Sequence, residues 1–258
     1  MNKKQILITG ASTGIGKALA LKYGNKENTL WLMARSTDKL DKIVSEIKNN
    51  GGNAKSIPCD LTNTNLLIEN SKEIEKLSGG IDLLIVNAGY SSRLFYYGND
   101  NIEEAQKMIN LNFSAAIIMI EYFVQQMIKR NNGHIVGVSS IAGFRGLPNA
   151  GIYSATKAGL ATYLEGLRVS LGNYKIAITD IRPGFVDTPM TQAKNNPKPF
   201  LTTPEDAAKM ITKAINKRKK RFTFPKPMIF VGWVARHIPN FIFDYYGRKF
   251  ASKLNREE

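Results

Sequence analysis

The chain has 258 residues, 43% hydrophobic and 22% charged, a globular composition that excludes a disordered or collagen-like protein. One cysteine, Cys59, excludes an intramolecular disulfide and a zinc-finger ligand set, and two histidines argue against a metal centre, so a reducing, cytoplasmic location and no metal are expected. The net charge of +15 is uneven: residues 213–258 carry 12 Lys/Arg against 3 Asp/Glu, and from Phe222 onward lie six of the twelve Phe and one of the two Trp.

Short apolar runs alternate with helical periodicity over the first two-thirds, the pattern of a parallel sheet covered on both faces. Residues 5–9 predict a first strand that runs into Gly10, Ala11, Ser12, Thr13, Gly14, Ile15 and Gly16. The three glycines permit a tight turn, close backbone approach to a pyrophosphate, and close packing of a helix whose N-terminus meets the anion. Standing between a strand and a helix, Gly10, Ser12, Thr13, Gly14, Ile15 and Gly16 form a candidate dinucleotide cradle.

A second strand over residues 29–34 ends without the acid that would accept a ribose hydroxyl, and Arg35 and Ser36 follow. A guanidinium can pair with a phosphate through two parallel bonds, so Arg35 favours NADP(H) over NAD(H); the plainer alternative is an exposed cation. Leu40, Ile43, Val44 and Ile47 keep helical spacing, and residues 53–58 predict a third strand.

Residues 81–86 and 134–138 read as buried central strands, with a helix carrying Phe113, Ile117, Ile120, Phe123, Val124 and Met127 between them. No secretory leader is visible, and no apolar run approaches the roughly 18 residues of a membrane span. Ser140 closes the fifth strand, where its hydroxyl either polarises a carbonyl or caps a turn. Tyr153 and Lys157 stand four apart on one face of a helix that begins near Gly151. A phenol with a reference pKa of about 10 is a poor acid–base catalyst at neutral pH, and a neighbouring ammonium favours its phenolate. A sixth strand over residues 176–181 is stopped by Pro183 and Gly184, and Pro204, Glu205 and Asp206 open another helix.

The turn at residues 9–16, Asp60-Leu61, Asn87-Ala88-Gly89, Asn112, Ser140, Tyr153 with Lys157, and Pro183-Gly184 occur together in order over residues 5–190. In this the chain resembles the short-chain dehydrogenase/reductase family in its single-domain form. The resemblance implies an α/β Rossmann fold, a doubly wound parallel sheet with helices on both faces, here with a basic and aromatic C-terminal extension. Residues 1–221 are expected to form the catalytic domain and 222–258 the extension.

The resemblance also implies roles. Tyr153 exchanges a proton with the substrate oxygen, Ser140 holds that oxygen, and Lys157 depresses the Tyr153 pKa and binds the nicotinamide ribose. Asn112 anchors a proton-relaying water. Asp60 contacts the adenine beside Leu61, Asn87 supports sheet and cofactor with Ala88 and Gly89, and Thr188 binds the carboxamide near Pro183, Gly184 and Val186. Two features depart from the family pattern. Asn110 competes with Asn112 and the usual following glycine is missing, and Thr13 stands where many NADP(H) users carry a cation.

Tyr90, Phe95, Tyr96, Tyr97, Phe144, Phe185, Met190 and Phe200 fall in loops expected to wall a substrate pocket, with Arg93 and Arg145 nearby, so an apolar, lipid-like carbonyl or alcohol is expected. The extension resembles those of membrane-associated family members. Peripheral contact with an anionic membrane stands level with a pocket lid or oligomer contact. A homo-dimer or homo-tetramer is expected. The alternatives to a carbonyl reductase are a 3-oxoacyl-thioester reductase and a cofactor-binding regulatory protein without turnover. The basic charge comes with no base-reading module, so no nucleic-acid partner is expected.

Overall fold

The strands are Lys4–Thr9 (β1), Asn28–Ala34 (β2), Asn53–Pro58 (β3), Leu83–Val86 (β4), Gly133–Val138 (β5), Ile176–Pro183 (β6) and Arg221–Phe224 (β7), in a computed structural model that describes residues 3–92, 101–192 and 198–254. The helices are Gly14–Tyr23 (α1), Thr37–Asn49 (α2), Thr64–Ser78 (α3), Asn101–Ile109 (α4), Ala115–Arg130 (α5), Gly151–Ser170 (α6), Pro189–Gln192 (α7), Pro204–Asn216 (α8), Lys226–His237 (α9) and Asn240–Leu254 (α10). All strand pairs are parallel, in the order β3-β2-β1-β4-β5-β6-β7. β4 begins two residues later than the apolar run at Ile81, and β6 runs on through Pro183. A proline at the last strand position removes a single donor from the ladder.

Period-two alternation builds two cores. Ile6 and Ile8 of β1 join the cluster under α1, α2 and α8, while Leu7 points into the cluster under α3, α5 and α6. Leu40, Ile43, Val44 and Ile47 are the buried face of α2, and each such side chain removed from water contributes about 1.5–3 kcal/mol. Thr203 caps α8 by accepting from the Asp206 N–H at 3.1 Å, one residue before the first-turn Pro204. Among the described residues one helical stretch, Ile102–Arg130, is long and apolar enough to cross a membrane, with 44% of its most apolar window buried. Its polar interruptions hide it from a search for unbroken apolar runs, and Met119, Ile120, Phe123, Val124 and Met127 tie it to the sheet as a core helix.

The strand order reverses at β1, between β2 and β4, so the connections leave in opposite directions and open a crevice at the carboxyl ends. The expected boundary after residue 221 falls inside β7, which pairs with β6 and buries Phe224; the chain leaves the sheet only at Pro225. β7 also divides the basic tail. Residues 217–220 precede it on the amino-terminal edge, where Arg218 lies near Lys4 and His134. Burial first, then those two cations, push His134 down to about 4. The aromatic helices α9 and α10 follow on the carboxyl edge. What reads as one basic-aromatic segment is two surfaces at opposite ends of the sheet.

Candidate active site

The phosphate turn is glycine-dependent for geometric reasons. Gly10 and Gly14 have φ of 63° and 53°, where other residues are strained. A Cβ would stand 2.8 Å from Ala88 Cα at Gly10, 2.8 Å from Thr188 Cγ2 at Gly14, and 2.1 Å from the Gly10 oxygen at Gly16. Thr9 Oγ1 accepts from the backbone N–H of Asn87 at 3.0 Å and of Ala88 at 3.1 Å, and Asn87 Nδ2 donates to the Thr9 oxygen at 3.1 Å. These bonds lock the ends of β1 and β4 together. The N-cap Thr13 makes no side-chain bond to α1, so the first-turn N–H groups of that helix carry no side-chain cap. An open, glycine-built helix N-terminus fits a pyrophosphate.

At the far end of the crevice Arg35 and Ser36 line the same cleft as Asp60 and Leu61. Asp60 Oδ1 accepts from the Thr62 N–H at 3.0 Å and the Thr62 hydroxyl at 2.8 Å. Those bonds, with Arg35 as a smaller influence, hold the carboxyl below the usual carboxylate range.

Ser140 takes the capping role and also meets Tyr153. Its Oγ accepts from the Ala142 N–H at 3.1 Å, capping a 3-10 turn at Ile141–Phe144, and it also hydrogen-bonds Tyr153. Lys157 is buried and donates to the Val138 oxygen at 2.9 Å, with its Nζ 5.9 Å from the Tyr153 ring centre. Desolvation lowers Lys157 to about 8, opposed by the charge of Asp180. Desolvation also pushes the Tyr153 phenol up, opposed by the Ser140 bond. The Tyr153 phenol is thus shifted opposite to the depression expected from Lys157, because burial disfavours the charged phenolate.

Asn112, rather than Asn110, is the buried asparagine. It sits in a π-turn at Asn110–Ser114, accepts from the Tyr90 N–H at 2.7 Å, and donates to the Tyr90 oxygen at 2.7 Å. Asn110 faces outward and accepts from Gln106 at 2.7 Å. Asn112 therefore clamps the segment after β4, while the Tyr90 hydroxyl bonds Glu104 at 2.5 Å.

Sequence reasoning passed over a polar group behind Lys157. Asp180 and Arg182, buried in β6, form an ion pair at 2.5 Å, and Ser139 donates to the other Asp180 oxygen and to the Ile181 oxygen. Two opposite charges two residues apart in an apolar strand were the available signal.

Every expected site residue except Gly16 and Asn112 lines one cleft of about 1370 Å³. Gly16 and Asn112 lie behind its wall, as packing position and clamp. Tyr90, Phe144, Phe185 and Met190 line it as expected. Phe200 does not: with φ of 57° it turns outward, 54% exposed, and Pro199 takes its place. Arg93, Phe95, Tyr96 and Tyr97 lie outside the described residues. Much of the remaining wall comes from α9 and α10, through Met228, Gly232, Ala235, Ile242, Phe243 and Tyr246. Arg145 also lines the cleft, but its guanidinium is spent on the tail, donating to the Ala235, Ile238 and Asn240 oxygens.

Residues 4–199 match the family model described as short chain dehydrogenase. An uncharacterized oxidoreductase of Myxococcus xanthus is 33% identical over 254 residues, 96% of this chain and 98% of that protein, so the likeness runs through the tail helices. A fatty acyl-CoA reductase of Acinetobacter baylyi is 35% identical over 220 residues, 84% of this chain and 75% of that protein. Among solved structures, a short chain dehydrogenase/reductase from Burkholderia phymatum in complex with NAD superposes with a TM-score of 0.81 at 22% identity, covering 91% of this chain and 93% of that one. At that identity the structural likeness speaks for the fold alone.

Proposed function

The chain belongs to the short-chain dehydrogenase family of oxidoreductases, and from that premise we propose that it is an NADP(H)-dependent reductase of apolar, acyl-chain-like carbonyls. The observation that carries the proposal is the placement of Ser140, Tyr153 and Lys157 in the cleft that also holds the glycine cradle and is walled by Phe144, Phe185, Met190 and the tail helices. When bound, the dihydronicotinamide supplies the hydride.

Ser140 donates to the carbonyl oxygen and fixes its position beside Tyr153. Tyr153 gives its proton to that oxygen as negative charge develops, and its burial-raised pKa keeps it protonated beforehand. Lys157, held by Val138, binds the ribose and returns a proton toward Tyr153. Asn112 keeps Tyr90 and the wall after β4 in place for a proton-relaying water. Arg35 and Ser36 take the 2′-phosphate, Asp60 and Leu61 flank the adenine, and Thr188 over Gly14 takes the carboxamide. The Acinetobacter relative's name favours a long acyl substrate.

A second reading is a 3-oxoacyl-thioester reductase, favoured by the +15 charge, which would attract the acidic groups of a thioester carrier. A non-catalytic role is disfavoured, because cofactor binding alone calls for no proton donor bonded to a second hydroxyl. The test follows NADPH absorbance with methyl ketones, aldehydes and 3-oxoacyl thioesters of increasing chain length. Turnover rising with chain length supports the proposal. Turnover only with thioesters selects the second reading, and no NADPH oxidation by any of them overturns both.

A further inference from the structure

α9 and α10 have two working faces. Met228, Gly232 and Ala235 of α9 and Phe243 and Gly247 of α10 turn toward the cleft. On the outer side of α9, Ile229, Phe230, Trp233 and His237 follow helical spacing, with Phe230 68% and Trp233 60% exposed. Phe230 stacks on Trp233 at 6.4 Å between ring centres, and Trp233 on His237 at 4.7 Å. On α10, Phe241 at 74% and Tyr245 at 56% are further exposed rings. Such a run of neighbouring exposed rings is more than scattered surface apolarity.

We propose that this outer face docks the enzyme on an anionic lipid bilayer, so that the wall of its pocket rests against the membrane. The charge selects this occupant. Residues 226–254 contain five Lys/Arg and one acid, Asp244, and Lys226, Arg236, Arg248 and Lys249 are exposed on the same two helices. A second copy of the chain would set these cations against their own kind, with +15 on each partner. An anionic headgroup layer meets them with opposite charge, while Trp and Tyr suit the boundary between headgroups and acyl chains. The basic run at residues 217–220 takes no part, since it lies at the other edge of the sheet. A helix diameter of about 10 Å then separates bilayer from cleft.

The docking surface goes beyond the proposed reaction and stands whichever carbonyl the pocket reduces. Its test is flotation of the full-length protein with vesicles of phosphatidylcholine alone or with about one-third phosphatidylglycerol. Binding is expected to the mixed vesicles and to fall as salt shortens the Debye length from about 10 Å at 0.1 M to about 3 Å at 1 M, leaving a remainder from inserted rings. The double variant Phe230→Ser/Trp233→Ser is expected to bind about tenfold or more weakly. Its NADPH affinity and its turnover of a short water-soluble ketone should be unchanged. Lys226→Glu/Arg248→Glu should lose the preference for phosphatidylglycerol.

Absence of flotation with the mixed vesicles at low salt overturns the proposal, as does undiminished binding by both variants. Concentration-dependent self-association abolished by Phe230→Ser/Trp233→Ser, without vesicle binding, assigns the face to a second copy and overturns it too. Flotation is read without turnover, so its failure leaves the reductase proposal untouched, and the reverse holds.

Discussion

The guanidinium of Arg145 lies 3.8 Å from the centre of the Phe243 ring, so the loop that carries Ser140 also holds the corner between α9 and α10. Nη1 donates to the Ala235 oxygen at 2.8 Å and the Ile238 oxygen at 2.6 Å, and Nη2 to Asn240 Oδ1 at 2.8 Å. The two Nη1 bonds satisfy carbonyls at the end of α9 that have no intrahelical partner, where a cation also complements the helix dipole. Pocket wall and the loop that carries Ser140 are thereby one unit.

Replacing Arg145 by Ala should therefore loosen the tail before it touches the chemistry. Bonds to a charged donor are worth about 1.5–3 kcal/mol each, and partial exposure at this site puts the net loss near the lower end. Amide exchange in α9 and α10 should quicken, KM for a long-chain carbonyl should rise about tenfold, and NADPH affinity should hold. Unchanged exchange would show that the tail is held without Arg145.

Tyr153→Phe should abolish turnover with NADPH binding intact. The phenol is hydrogen-bonded to Ser140, and general acid catalysis supplies roughly 10²–10⁴-fold in rate. Near-normal reductase activity in the folded variant would remove Tyr153 from the mechanism.

Lys157 carries a pH signature in stability. Its folded-state pKa of about 8 lies below the ordinary value of 10.5, so below about 8 the fold bears the full cost of a buried ammonium. Between these values unfolded chains hold a proton that the folded chain lacks, so stability rises with pH across the window. The swing is on the order of 3 kcal/mol. Lys157→Met removes the titration, so its urea-unfolding free energy should climb less steeply than that of the wild type from about pH 8 to about pH 10. The lost bond to Val138 adds only a constant offset. Parallel slopes would mean that Lys157 is solvated in the fold.

Arg35→Ala should weaken NADPH binding about tenfold, toward one hundredfold if both phosphate bonds form, and leave NADH binding nearly unchanged. Titration of each cofactor by fluorescence separates the outcomes. Equal losses for both would make Arg35 structural.

What the sequence by itself determined rests on single-residue and single-element rules. Positive φ at Gly10 and Gly14, a Tyr153–Lys157 spacing of one helical turn, and period-two apolar strands are local properties, so the glycine turn, the Tyr153–Lys157 pairing and the sheet were readable without coordinates. Landmark spacing also pointed to Asn112 rather than Asn110, and Asn112 is the one that is buried in the π-turn. Only the tertiary structure decided the quantities set by contact between distant segments. The upward shift of Tyr153 depends on how much water the assembled site excludes, whatever charge stands four residues away. Asp180 reaches Ser139 because β5 and β6 pair in one register, and a strand's charged residues do not announce that partner. β7 separates basic run from aromatic helices by adding a strand where composition alone sees one tail. The inner face of that tail is set at Gly232, where a Cβ would stand 2.1 Å from the Phe144 ring, so the missing side chain is what lets α9 close against the loop after β5 and turn its aromatics outward.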